Sequence, residues 1–367
     1  MRTMHPTLLV GPADWDRALL PEDEFLDRIA RFWAACDPKL SGAIVYGSPR
    51  QHAELAYLTH FTPKLEPAIA LIPRKGEPGL LVGGGANMLG AAKPLTWVEQ
   101  LLPLREAGAA IASWAAETGS VAMINAAAMP SGLHKTIANA LGADPPDVSA
   151  IVAAAMRQKS AREMALMRAA CATLDAAVMA MRQAHDAGRS ATDVVLAGEH
   201  AAWRRGAQDV RTLFGPNGTL RPFANPIAEP IEPLQVYMAV RHGGYWAEGF
   251  AVLSRSVPPA ARRASEILQA AIAAARPGAS HRALARLIAQ ETGAAGRHPV
   301  TSGDFGGSIG LQPEEPHRVS ETSDGALASG EVYTLRVGLV DNGACAVASA
   351  MLAIGDHGGE VLWPAQA

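Results

Sequence analysis

Between Pro21 and Asp37 the apolar side chains Phe25, Ile29, Phe32 and Trp33 recur at helical spacing, which predicts an amphipathic helix. Ala43–Tyr46 and Ala68–Pro73 are short apolar runs, the second turning at Arg74-Lys75-Gly76 into Leu80–Val82; each reads as a buried strand. Helical stretches over Ala86–Ala92 and Glu106–Thr118 alternate with them, so the first part of the chain reads as a small mixed α/β domain. Pro145-Pro146-Asp147 punctuates its end, and we place the domains at 1–152 and 153–367.

Beyond Ile151 the texture changes. Ser160 with Glu163 three residues on is a capping-box signal, and the Ala/Met-rich segment that follows predicts a helix to about Ala187, stopped by Gly188. A second helix is expected from Ala191 to Arg205. Strands Val236–Arg241 and Tyr245–Ser254 flank the turn His242-Gly243-Gly244, and a helix over Pro259–Ala275 ends at Pro277-Gly278. Val332–Val340 and Ala346–Ile354 complete the pattern as a hairpin turned at Asp341-Asn342-Gly343. Long helices alternating with hairpins suit helices laid across a curved antiparallel sheet, an α+β class.

Composition narrows the function. The 367 residues are 49% hydrophobic with a formal net charge of −3, which offers no electrostatic footprint for nucleic acid or an anionic membrane. Cys36, Cys171 and Cys345 are far apart in sequence, so reduced thiols are the expectation. Met1–Asp16 lacks the basic and apolar regions of a signal sequence, and Thr173 and Asp175 interrupt the longest apolar stretch. We therefore expect a cytoplasmic protein that spans no membrane.

The chemistry concentrates in three segments. Gly306-Gly307-Ser308-Ile309-Gly310-Leu311 is followed by Glu314-Glu315-Pro316; the others are Gly243-Gly244-Tyr245-Trp246-Ala247-Glu248 and Gly330-Glu331-Val332-Tyr333-Thr334-Leu335-Arg336. Together these resemble the pita-bread superfamily of methionine aminopeptidase, Xaa-Pro aminopeptidase, prolidase and creatinase. Its corresponding runs read G-H-G-I-G-L…H-E-x-P, G-Y-x-x-D and G-M-V-x-T-I-E-P-G. The resemblance implies a pita-bread domain preceded by a smaller creatinase-like domain, and a homodimer.

In the metal-dependent relatives two aspartates, one histidine and two glutamates hold two divalent ions that activate a water. Carried over, the first aspartate falls near Ala239, the second on Glu248, the histidine on Gly307, one glutamate on Arg336 and the other near Ala348. One carboxylate beside an arginine is a poor ligand set, so no metal and no other cofactor is expected. Creatinase works without metal through a histidine base, but the matching position here is near Phe223.

The remaining polar groups suggest another chemistry. Glu248, Glu314 and His298 are the candidate catalytic residues, and Glu248 is expected to face Arg336 as an ion pair. Arg336 suits a bidentate contact to a substrate carboxylate, with Glu315 as a further contact. Creatinase also implies substrate contacts from the small domain across a dimer, here His60, Lys64 and Glu66. His281 and Arg241 read as surface groups. Gly306-Gly307-Ser308-Ile309-Gly310 formally matches a nucleophile elbow, but lacks the strand before it and the helix after it. Three readings stay open: hydrolysis of a C–N bond in a small carboxylate-bearing substrate, a catalytically silent binder of a ligand or partner chain, and a lyase using the same proton-transfer groups.

Overall fold

The computed structural model describes residues 14–84, 87–216, 220–222, 225–293, 297–341 and 344–364. Phe223 and the turn residues Asn342-Gly343 lie outside them, as does most of Met1–Asp16. The chain forms two compact units, Met1–Arg157 and Gln158–Ala367.

The first unit contains α1 (Glu22–Ala35), β1 (Gly42–Gly47), α2 (Ala53–Thr59), β2 (Ala68–Pro73), β3 (Gly79–Val82), α3 (Asn87–Ala92), β4 (Gln100–Pro103), α4 (Ala107–Thr118), β5 (Val121–Ile124), α5 (Ser131–Leu141) and α6 (Ser149–Arg157). Its sheet runs β4-β3-β2-β1-β5, with antiparallel pairs at the centre and parallel pairs at both edges. The apolar runs of β1, β2, β3 and β5 are buried along their whole length, as expected for strands covered on both faces. Helix α6 packs on α1, α2 and β5. The unit therefore ends after α6, five residues past the expected 152/153 boundary.

The second unit contains α7 (Ala161–Asp186), α8 (Ala191–Arg204), β6 (Asp209–Pro216), β7 (Arg221–Pro222), β8 (Leu234–His242), β9 (Tyr245–Leu253), α9 (Pro259–Ala274), α10 (His281–Thr292), β10 (Gly306–Ser308), β11 (Val332–Asp341), β12 (Ala344–Gly355) and β13 (Gly358–Trp363). Helix α7 begins as its capping box requires: Ser160 Oγ accepts the Glu163 N–H at 3.1 Å, and Glu163 Oε2 accepts the Ser160 N–H at 2.9 Å. By length and composition α7 alone among the described helices could cross a bilayer. Half of its most apolar window is buried inside the unit, however, as in a core helix. Gly198 lets α8 approach closely, since a Cβ there would lie 3.1 Å from the Ala177 carbonyl of α7.

Two antiparallel sheets, β7-β6-β8-β9 and β10-β11-β12-β13, meet where β9 faces β12. The junction is made by side chains rather than by a backbone ladder. The Phe250 N–H donates to Ser349 Oγ at 2.7 Å, and the Gln235 amide bridges to the Val347 backbone, with Val347 N–H to Oε1 at 2.9 Å. Edge groups of β9 that would otherwise be orphaned are thereby satisfied. Behind β11 and β12, Ile267, Leu268, Leu284 and Ile288 of α9 and α10 pack against Tyr333, Leu335, Leu352 and Ile354 to form the main core.

Candidate functional site

Strand register places the candidate residues. Ala239 of β8 stands opposite Glu248 of β9, and Arg211 of β6 stands opposite Ala239, so the three form one row on one face. On β11, Thr334 and Arg336 share a face, with Gly307 of β10 opposite Thr334. Glu248 belongs to both halves: its N–H approaches Met351 Sδ of β12 at 3.3 Å, and Met351 pairs with Thr334.

Glu248 is buried, 6% exposed, and Oε2 accepts the Tyr237 hydroxyl at 2.7 Å. Burial pushes its carboxyl above the ordinary value of 4.5, against the opposing pull of Tyr237 and Arg336; Glu314 adds to the rise and the Thr334 hydroxyl opposes it. Tyr237 is pushed well above its own ordinary value, first by burial and then by the Glu248 charge, while Arg336 and Arg211 pull it down.

The expected Glu248–Arg336 ion pair does not form. Arg336 Nη2 instead donates to Asp304 Oδ1 at 2.5 Å, and Asp304 Oδ2 accepts from Arg318 Nη2 at 2.6 Å. The cause lies in the ladder: β10 pairs antiparallel with β11, and the Arg336 N–H donates to Phe305 O, which draws Asp304 across the Arg336 side chain. These two guanidiniums hold the Asp304 carboxyl below its ordinary range despite partial burial. Arg336 acts on Glu248 only through its field. Arg336 Nε is buried without a hydrogen-bond partner. Polar atoms left in this state mark a place for water or ligand.

His298 is buried at the start of a short 3-10 turn over Pro299–Thr301, against Gly338 on the Arg336 face of β11. Its Nδ1 accepts the Val300 N–H at 3.1 Å. A neutral ring in that state carries its proton on Nε2, so His298 presents a donor rather than the expected base. Glu314 is at the rim, its side chain 69% exposed, 3.7 Å from Arg318. Glu315, expected to touch substrate, is buried with both oxygens bonded to Lys159 Nζ at 2.9 and 3.1 Å. That pairing makes it a support of the loop.

His60, Lys64 and Glu66 belong to the first unit. His60 ends α2 with φ 63°, and its Nδ1 lies 3.1 Å from Leu95 O; Glu66 is exposed and Lys64 half-buried. Two supposed surface groups are internal. His281 is 1% exposed, with Nε2 2.9 Å from the Tyr333 hydroxyl, and Arg241 is 3% exposed near Trp246. Their turn-side positions in sequence conceal the packing of β11 and β9 over them. Ser308 is followed by bends instead of a helix, so the elbow geometry is absent.

Tyr237 and Asp304 were the residues a sequence reading underweights. Alternation along β8 was the available signal, since Tyr237 shares a face with Ala239.

The histidine position of the resembled site is occupied differently. A Cβ at Gly307 would lie 2.8 Å from the His317 carbonyl oxygen and 3.1 Å from Arg318 Cδ and Nη1. Arg318 thus fills the space a side chain there would take. Among the described residues, no group of three or more His, Cys, Asp or Glu is gathered in an arrangement able to hold a metal ion.

Comparison with solved structures finds the same fold. The prolidase from Pyrococcus horikoshii OT3 superposes with a TM-score of 0.76 at 16% identity, covering 94% of this chain and 99% of that one. A Xaa-Pro dipeptidase from Bacillus anthracis gives 0.73 at 16% identity, covering 93% and 98%. Aminopeptidase P from E. coli gives 0.72 at 17%, covering 93% and 94%. The architecture is thus the pita-bread α+β fold. A comparison with curated protein sequences found no match. Residues 165–357 match the sequence pattern of metallopeptidase family M24, more than half of the chain, and the chain belongs to that family.

Proposed function

We propose that this protein is a hydrolase that cleaves a C–N bond in a small carboxylate-bearing substrate without a pair of bound metal ions. The observation that carries the reading is the buried Glu248–Tyr237 pair beside a guanidinium whose Nε lacks a partner. The donor set argues against the two-metal chemistry of the family. Of the five matching positions only Glu248 supplies a carboxylate, and the guanidiniums of Arg336 and Arg318 share Asp304 nearby. Fixed positive charge repels a divalent ion.

The roles follow from the geometry. Arg336, steadied by Asp304, receives the substrate carboxylate through its unpartnered Nε, with the Thr334 hydroxyl on the same strand face. Glu248 takes a proton from the attacking water as the water oxygen bonds to carbon. It returns that proton to the leaving nitrogen as the C–N bond breaks, so the products are an amine and a hydroxylated or carboxylic fragment. A carboxyl raised above 4.5 by burial is suited to both steps. Glu314 at the rim and the His298 ring are supporting groups in this scheme, and His60, Lys64 and Glu66 remain candidates for substrate contact from a homodimer working in the cytoplasm.

The test is a screen of N-acyl amino acids and guanidino acids with wild type and Glu248→Gln, before and after chelation. Turnover that survives chelation and disappears in Glu248→Gln is expected. Near-stoichiometric manganese, cobalt, iron or zinc with chelator-sensitive turnover would overturn the metal-independent reading. Ligand binding without turnover in either form would select the silent binder, and product formed without oxygen from labelled water would select the lyase.

A further inference from the structure

A second arginine flanks Glu248 from the side opposite Arg336. Arg211, Ala239 and Glu248 lie in one row across β6, β8 and β9, and only a methyl group stands between the two charged residues. The Arg211 guanidinium lies over the Trp246 ring, 4.4 Å from its centroid. Trp246 is two residues before Glu248 on the same face of β9, so the stacking holds the cation on the strand face that carries Glu248. Both Arg211 and Arg336 act on the Tyr237 hydroxyl that bonds Glu248.

Each flank carries two guanidiniums against one aspartate. On the β11 side Asp304 holds Arg336 and Arg318. On the β6 side Asp209 is 3.6 Å from Arg211 and also stabilises the charge of Arg241, whose burial lowers its pKa to about 10. Glu314 approaches Arg318 only from the solvent side, 69% exposed, where water screens it.

We propose that the substrate is a dianion: a small amino-dicarboxylate derivative whose two carboxylates meet Arg336 and Arg211, with the reacting C–N bond held between them over Glu248. This rests on the hydrolase reading above and names its substrate class. Arg211, with its side chain 56% exposed, is available to a ligand.

Isothermal titration with α,ω-dicarboxylates from succinate to adipate, each beside the monocarboxylate of equal length, tests the assignment without requiring turnover. Wild type is expected to bind the best dicarboxylate roughly tenfold more tightly than its monocarboxylate, the scale of one charge-assisted contact. Arg211→Gln should erase that preference, Arg211→Lys should keep part of it, and Arg336→Gln should weaken both ligands. Equal binding of the two ligand types by wild type, or a preference untouched in Arg211→Gln, overturns the dianion proposal and leaves the Arg336 carboxylate site standing. Binding of neither type by wild type overturns both. Far-UV circular dichroism of each variant confirms that it is folded.

Discussion

Tyr237 and Glu248 meet diagonally across the β8–β9 ladder, hydroxyl to carboxylate at 2.7 Å, although the residue directly opposite Glu248 is Ala239. The long phenol reaches over the position that a shorter side chain leaves empty. A buried carboxyl thereby keeps one strong donor, which opposes the rise that burial imposes on its pKa.

Removing that donor with Tyr237→Phe should raise the Glu248 pKa further, because burial would act with less opposition. Any rate limb that requires ionised Glu248 then moves to higher pH. Stability should fall by about 1–3 kcal/mol, the usual range for a buried polar group stripped of its partner. A pH–rate profile and a urea titration read the two effects; an unmoved limb would show that Glu248 is not the titrating group.

Glu248 also links stability to pH, with a definite sign. Its folded pKa lies above its ordinary 4.5, so the folded protein holds a proton that the unfolded chain releases. That contribution is complete below pH 4.5 and is lost as pH rises through the folded pKa. Glu248→Gln cannot lose a proton there. Its stability relative to wild type should therefore improve from pH 5 to pH 8, as measured by urea midpoints at both values, each unit of pKa shift corresponding to about 1.4 kcal/mol. Parallel pH curves for the two proteins would refute the linkage.

The Lys159–Glu315 pair ties the start of α7 to the glycine-rich loop. Lys159→Met leaves a buried carboxylate without its cation and should cost about 3–5 kcal/mol. Adding Glu315→Leu should recover much of the loss, since the stranded charge goes with it. Guanidinium denaturation of the two variants distinguishes this from a simple packing defect, in which the second change would add to the first.

Gly307→His should not restore a metal site. The new side chain would press on the His317 carbonyl and on Arg318, so a loss of about 1–3 kcal/mol is expected. Elemental analysis after incubation with manganese or zinc should show no gain over wild type. Stoichiometric uptake would mean that the Arg318 side chain yields its place.

The elements that depend on local chemistry were legible from the residues. The Ser160–Glu163 capping box, the Gly188 stop and the His242-Gly243-Gly244 turn each act within a few positions, and β8, β9, β11 and α9 lie where spacing puts them. The three glycine-bearing segments also carried the family resemblance. By contrast, the surface reading of Arg241 and His281 failed because a residue near a turn or helix start gives no sign of what later packs over it.

The order of strands and helices, and the identity of the polar groups available for chemistry, were thus determined by the sequence itself, through backbone propensity and side-chain type. Which of those groups are partners was decided only in three dimensions. Arg336 bonds Asp304 rather than Glu248 because the β10–β11 register brings residues 32 positions apart into reach. Glu248 bonds Tyr237 because β8 and β9 pair in one register and no other. Hydrogen bonds and ion pairs act over a few ångströms, and only the folded ladder sets distances on that scale.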